Sequence, residues 1–488
     1  MSQLFIKGLS AIFFPFYQKF YLDLQDSQKA QNKVKNKVIQ KLIKTAYGSK
    51  LKLKNLEDWG NIPIVDYDSL KPWIAQQRQQ PNSAIITPEK IHFWECTSGS
   101  TGSKKWIPYT TSLLASFSNM FCIWAYDLIS NGPAFSSGKT YLCISPEIGT
   151  TGQGIDDSKY LNPLLKWLLG KFLLRIKGHF STVEDFRWSL ACALLQASDL
   201  ETFSLWSPSF LTTQLDFIQT NNRQLQSCLV NKISSRRLSL LGESKINWSE
   251  LWSELKLISC WDCNYAADSA EILKQYFPKV FLQGKGLLAT EAPMTIPLIP
   301  VKGFVPLLNQ VVFEFLTSEG EICNLRELEV GKTYELVISQ LGGLSRYRIG
   351  DRIQVSHWYF NTPCLNFVGR GEQISDLVGE KLNIEFVREC LNNFLKWGFC
   401  CLVPVSGNPP HYCLLLEQAQ EEEEEIIRKL ETALQENFHY HKARQFEQLD
   451  RVKVIINPQV SQWLRGNKRL GDGKYPILVT KPLNLNIR

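Results

Sequence analysis

Ile91-His92-Phe93-Trp94-Glu95-Cys96-Thr97-Ser98-Gly99-Ser100-Thr101-Gly102-Ser103-Lys104-Lys105 begins as an apolar, strand-like run. It empties into a loop of hydroxyl residues and glycines closed by two lysines. Glycines let backbone N–H groups converge on an anion, hydroxyls add donors, and lysine adds the opposite charge. A strand feeding such a loop is a layout for gripping phosphate. It is not a Walker loop, because the Gly-x-x-x-x-Gly-Lys-Ser/Thr spacing is absent, and no Gly-x-Gly-x-x-Gly dinucleotide turn follows a strand. By composition a Ser/Gly loop serves equally well as a flexible linker. The order of residue types is what favours the clamp.

Working outward, Thr111 to Ile129 is apolar at helical spacing and Tyr141 to Ser145 reads as a buried strand. Leu161 to Ile233 reads as a long helical region, with Pro208 starting a new helix. Leu255 to Cys260, Ser269 to Tyr276 and Val280 to Leu282 then alternate strand, helix, strand, the mark of an α/β layer architecture. Val311 to Phe315, Thr333 to Ser339 and Arg352 to Ser356 are short β-branched runs, expected to form a partly antiparallel sheet. Upstream, Ser27 to Tyr47 reads as one helix with Ser27 as its N-cap and Gly48 as its stop. Past Gly369, short strands and helices near Ile384 to Trp397 and Glu421 to Phe438 suit a small α+β domain of about 120 residues. The expected fold is α/β, a large domain over residues 1–369 followed by a small mobile domain over 370–488.

Composition narrows the function. With 44% apolar and 21% charged residues over 488 positions, the chain is neither disordered nor fibrous. The balance of 54 basic against 47 acidic residues gives +7, too mild for a polycation. The Lys-rich stretch Lys33 to Lys54 carries Val34, Val38, Leu42 and Ile43 at helical spacing, so it reads as a solvated helix face and no nucleic-acid partner is expected. Ala11 to Tyr17, broken by Pro15, is too short to span a bilayer, and neither a transmembrane segment nor a secretory signal is expected. An ordinary N-terminal helix is the expectation there, an amphipathic anchor the alternative. Thirteen cysteines without a secretion signal suggest reduced thiols and a cytoplasmic location.

Two further stations follow the loop in order, Ala289-Thr290-Glu291 and Tyr347-Arg348-Ile349-Gly350-Asp351, and then Phe367-Val368-Gly369-Arg370. Together with the loop they resemble the signatures of the acyl-adenylate-forming superfamily. The resemblance implies that Thr97, Ser98, Gly99, Ser100, Thr101 and Gly102 hold ATP phosphates. It further implies that Thr290 touches the α-phosphate, that Glu291 holds Mg²⁺, and that Asp351 and Arg370 hold the ribose. A carboxylate suits two hydroxyl donors, and Mg²⁺ prefers oxygen ligands and phosphate. Alone, Asp351 could close a turn and Glu291 could cap a helix; their joint order carries the functional reading.

Within the superfamily the chain is most similar to the auxin-responsive acyl acid amido synthetases, the Gretchen Hagen 3 family. The likeness extends to Ala46-Tyr47-Gly48-Ser49, Ile62 to Tyr67, Leu205-Trp206-Ser207-Pro208-Ser209-Phe210-Leu211 and Gly473-Lys474-Tyr475-Pro476. It implies that Arg370 and Lys381 contact the nucleotide and that Lys474, with Lys105, assists adenylation; Lys468 is the local competitor of Lys474. Leu287 stands where the family's adenine-stacking aromatic is expected. The implied reaction joins a small-molecule carboxylic acid to an amino acid in a monomeric enzyme, with ATP and Mg²⁺ as cofactors. Alternatives are an acyl-CoA or carrier-protein ligase sharing the first step, and a non-catalytic nucleotide-binding scaffold.

Other candidates have plainer readings. Cys260-Trp261-Asp262-Cys263 lacks the second ligand pair of a zinc site and reads as structural. His439-Tyr440-His441 lies at a helix end with basic neighbours and reads as surface. Cys96 reads as packing. The aromatic-rich Phe117 to Tyr126 reads as core, with a wall of the acid pocket as its alternative.

Overall fold

The computed structural model describes residues 2–98, 104–143, 170–176, 180–263, 266–370, 374–397, 399–460 and 477–482. Strands Lys139–Leu142, Leu200–Ser204, Leu257–Cys260 and Phe281–Gly284 form a parallel sheet in chain order. Helices Val183–Gln196, Pro208–Thr220 and Ala267–Tyr276 share its core, where Phe186, Leu190, Leu215 and Leu273 meet Phe203 and Ile258. Such helix-connected parallel strands are the α/β layers expected from the alternation.

Strand Leu200–Ser204 corrects the sequence reading, which places it inside a helical region. Glu201 interrupts the apolar run and hides the strand. Its buried carboxylate accepts N–H bonds from Ser136, Ser137 and Gly138 and pairs with Lys256. The strand expected over Tyr141 to Ser145 starts earlier, spanning Lys139–Leu142, and Ile144 and Ser145 lie outside the described residues.

The second sheet is antiparallel, in the order Ile322–Cys323, Val311–Leu316, Thr333–Gln340, Tyr347–Tyr359, Thr362–Arg370. It shares a core with the helices over 27–42 and 111–131. The helix predicted over Ser27 to Tyr47 divides. Ser27–Leu42 is capped by Asp26, whose side chain accepts from Lys29, while Thr45 caps a second short helix, Ala46–Lys50. Thr45 offers the backbone a local partner that competes with a continuous helix: its hydroxyl donates to Leu42 O at 2.6 Å and accepts from Gly48 N. Helix Thr111–Asn131 is long and apolar enough to cross a bilayer, yet half of that span is buried inside the molecule. Leu113, Phe117, Met120 and Ile123 account for its apolarity as core.

Beyond residue 374 a third core gathers Leu377, Leu382, Leu402, Tyr412, Leu430 and Leu478 around the strands Cys400–Val405, His411–Leu416 and Lys453–Ile456. Phe446 of this part lies 6.1 Å from Phe186 and 6.3 Å from Phe210, ring centre to ring centre, so it packs on the helices of the parallel sheet.

A buried ion pair within the antiparallel sheet also reaches the segment before it. Arg346 Nε donates to Glu314 Oε2 at 3.0 Å, and its Nη1 donates to Ile62 O at 2.7 Å. Glu314→Gln would leave the buried guanidinium without its counter-charge. A loss of about 3 kcal/mol in unfolding free energy is expected by urea titration, because an uncompensated buried charge costs far more than the pair contributes.

Candidate active site

The quoted stretch folds as an antiparallel hairpin, Ile91–Ser98 against Lys104–Thr110, with Thr97 opposite Lys105 and Ser98 opposite Lys104. Thr97 and Ser98 therefore end the incoming strand, and Lys105 lies at the start of the return strand. Gly99, Ser100, Thr101 and Gly102 lie outside the described residues. Phe93 stacks on Tyr109 at 4.8 Å, and Tyr109 on Phe117 at 5.9 Å, anchoring the hairpin to the following helix.

Tyr109 also makes the link that joins two motifs. Its buried hydroxyl donates to Thr290 O at 2.8 Å. Thr290 and Glu291 form the two-residue turn between the strands Leu288–Ala289 and Ala292–Pro293. Glu291 is buried, and its side chain forms no hydrogen bond or ion pair with another described residue. Tyr109→Phe should lower nucleotide-dependent turnover about tenfold while costing roughly 1 kcal/mol of stability, since one neutral hydrogen bond is lost. Steady-state kinetics beside a urea melt checks both.

The third motif is tied in through Ile62 to Tyr67. Trp106 N donates to Tyr67 Oη at 2.8 Å, and the Lys105 ammonium lies 5.7 Å from the Tyr67 ring centre. Asp66 caps helix Tyr67–Gln79; the Ser69 backbone N–H first, and Lys105 more weakly, hold its carboxyl below the usual range. One residue earlier, Val65 N donates to Arg346 O and Arg348 N donates to Val65 O, a parallel bridge onto Tyr347. Gly350 then has φ +84°, a conformation that disfavours any Cβ, and it delivers Asp351 into the sheet as a buried carboxylate. Asp351 pairs with Arg370 across the strands, so the two residues assigned to the ribose are direct neighbours in register. Lys381 lies in a turn beyond the sheet, at φ +50°. Lys468 and Lys474 lie outside the described residues.

Leu287 is not placed to stack on a base. It is buried in the core, with its N–H bonded to Thr295 Oγ1 at 2.7 Å. Aromatic residues stand instead at the carboxyl ends of the parallel strands, where open α/β sheets bind ligands. Lys285 donates to Ser204 Oγ at 2.9 Å and lies 5.3 Å from the ring centres of both Trp124 and Trp206. Trp206 and Trp261 are 5.9 Å apart. Sequence reading passes over Lys285 and meets Trp206 and Trp261 only as members of other motifs. Placing strand Leu200–Ser204 would have revealed Trp206 just past a strand end. Phe117 is core, but Trp124 on the same helix faces this edge, bonded to Gln283 Oε1 at 2.9 Å.

Burial raises the thiols of Cys260, to about 12, and Cys263, to about 11. Neither is a thiolate at neutral pH, and no cluster of metal-binding side chains occurs among the described residues.

Residues 16–282 match the GH3 family N-terminal domain, 304–370 the GH3 family central domain and 384–482 the GH3 family C-terminal domain. The chain is similar to the indole-3-acetic acid-amido synthetase GH3.3 of Arabidopsis thaliana, 22% identical over 74% of this chain and 70% of that protein. It is 21% identical to the 4-substituted benzoates-glutamate ligase GH3.12 of the same plant, over 84% of this chain and 82% of that protein. Among solved structures, the GH3.15 acyl acid amido synthetase superposes with a TM-score of 0.60 at 19% identity, covering 94% of each chain. A 2-hydroxyisobutyryl-CoA ligase holding 2-HIB-AMP and CoA superposes at 0.52 and 14% identity, over 96% of this chain and 90% of the other.

Proposed function

The chain belongs to the GH3 family, and from that membership we propose that it is an ATP-dependent acid–amino acid ligase. It forms an acyl-adenylate and then an amide, releasing pyrophosphate and AMP. The observation that carries the reading within this chain is the Tyr109–Thr290 hydrogen bond, which brings the phosphate hairpin and the Thr-Glu turn to one place.

A carboxylate is a poor electrophile, and an amine mixed with it forms only a salt. Activation must therefore precede amide formation. In the first step a carboxylate oxygen attacks the α-phosphorus, and pyrophosphate leaves. Two anions approach each other, and that repulsion is a large part of the barrier. Lys105 and the hairpin's backbone N–H groups offset it; one preorganised donor in comparable sites contributes roughly 3–4 kcal/mol. Asp351 and Arg370 orient the ribose, which fixes the line of attack. Glu291 suits Mg²⁺ in chemistry, as an acceptor-only carboxylate in a turn beside the hairpin with no described protein cation on it. When bound, the ion would neutralise phosphate charge as a Lewis acid. In the second step the amino group attacks the acyl carbonyl and AMP departs.

The acid in this reading is a flat, largely apolar carboxylic acid, supported by Trp124 and Trp206 at the strand ends. Residues 370–488 form a mobile domain that turns about Gly369-Arg370-Gly371 between the two steps. The enzyme is a monomer of the cytoplasm, a compartment that suits its unpaired described cysteines.

The test is acid-dependent ATP–pyrophosphate exchange over a panel of aromatic and aliphatic acids, followed by mass spectrometry of products formed with mixed amino acids or with CoA. Exchange followed by amide is the expected result. Thioester without amide would move the protein to the CoA-ligase reading, and ATP binding with no exchange for any acid would leave only the scaffold.

A further inference from the structure

Just past the second sheet, strands Ile374–Ser375 and Leu382–Asn383 pair as a small hairpin whose closing turn runs from Asp376 to Lys381. Glu380, within that turn, is fully buried. Its Oε1 accepts from Leu377 N at 2.6 Å and its Oε2 from Val378 N at 2.7 Å. The Tyr412 hydroxyl donates to Oε1 at 2.5 Å and lies 2.9 Å from Ser375 Oγ. Asp376 Oδ1 accepts from Gly379 N at 2.6 Å, closing the loop on its other side. A carboxylate satisfies three donors here because it is acceptor-only; an amide would turn an N–H₂ toward one of them.

The residues on either side of Glu380 are both in positive-φ backbone, Gly379 at +108° and Lys381 at +50°. Lys381 carries a Cβ, so that conformation persists only where the surroundings impose it. The two faces of the turn meet different parts of the molecule. Tyr412 belongs to strand His411–Leu416 and shares the C-terminal core with Leu377 and Leu382. Gly379 lies against the Trp261 ring, where an added Cβ would sit 3.5 Å from Cζ3. Trp261 follows strand Leu257–Cys260, at the carboxyl edge of the parallel sheet.

We propose that Glu380 is a positioning residue: its buried carboxylate ties the Asp376–Lys381 turn to Tyr412 of the C-terminal sheet, and so presets Lys381 and the Gly379 face against Trp261 for the nucleotide. This rests on the adenylation reading above for the role of Lys381, but it needs only ATP binding to be tested. Glu380 itself touches no substrate; it acts through the backbone on which Lys381 sits.

The test is a double-mutant cycle on ATP affinity, using the full chain and E380Q, K381A and the combined variant, with a urea melt of each. E380Q and K381A are each expected to weaken ATP binding about tenfold, and the double variant is expected to be no weaker than K381A alone, because both changes remove one interaction. Additive losses would overturn the proposal, as would an E380Q protein that is less stable but binds ATP like the parent. Should E380Q fail to fold, Y412F removes one donor while keeping both backbone bonds, and it must show the same non-additivity with K381A at about threefold amplitude. Acid-dependent pyrophosphate exchange by the parent protein separates the two ideas: no exchange refutes the ligase reading, while the cycle on ATP still decides the role of Glu380.

Discussion

Glu291→Gln is expected to lower acid-dependent ATP–pyrophosphate exchange about a thousandfold, or roughly 4 kcal/mol of transition-state stabilisation. The substitution keeps the shape of the side chain and removes its charge. Because the Glu291 side chain makes no bond to another described residue, no described hydrogen bond or ion pair is lost. Unfolding free energy should therefore stay within about 1 kcal/mol of the parent, or rise slightly as a buried charge disappears. The Thr290-Glu291 turn keeps its Tyr109 hydrogen bond, so the loss cannot be laid to a displaced loop. Exchange at graded Mg²⁺ concentrations supplies the second readout: the variant should need far more of the ion to reach half its own maximum. A loss below tenfold, with an unchanged Mg²⁺ midpoint, would remove Glu291 from the phosphate site.

The legible part of the chain is the part in which neighbouring residues carry their own chemistry. A Ser/Thr/Gly run after a strand, a Thr-Glu pair and a Gly-Asp pair need no distant partner to be recognised, and the antiparallel strands over 311–359 announce themselves by β-branched runs. The strand at Leu200–Ser204 is hidden by Glu201, whose partners at Ser136–Gly138 and Lys256 are more than fifty residues away on either side. No local pattern shows that a carboxylate will be satisfied from there. The same miss keeps Trp206 out of the candidate site, since its place is defined by the strand end before it. Leu287 misleads in the opposite way. Counting back from the glutamate assumes a fixed turn length, whereas here the chain from Gly284 to Thr290 dips into the core at Leu287 and returns as a hairpin.

The other large effect is expected at Lys474, which lies outside the described residues but is tethered by ones that are described. Leu402 N donates to Ile477 O at 2.8 Å, Val479 N donates to Leu402 O at 2.9 Å, and Leu478 is buried in the C-terminal core. Ile477 is thus fixed to the small domain's sheet, and Lys474 is three residues from that fixed point. Three residues of chain span at most about 10 Å, so in the proposed mechanism Lys474 travels with the small domain. In that proposed mechanism its ammonium acts only when the domain is turned toward the phosphates, which adenylation needs and amine attack does not. Lys474→Ala should therefore lower pyrophosphate exchange about a hundredfold to a thousandfold. ATP affinity and the rate of amide formation from added acyl-adenylate should change less than about threefold, since neither uses the missing charge. Lys468→Ala, nine residues from the same tether, should behave like the parent in all three assays. If instead Lys468→Ala loses exchange and Lys474→Ala does not, the two lysines trade roles and the domain's required rotation changes with them. Equal losses of exchange and ATP affinity in Lys474→Ala would make it a binding residue, and the small domain would then already be engaged before chemistry begins.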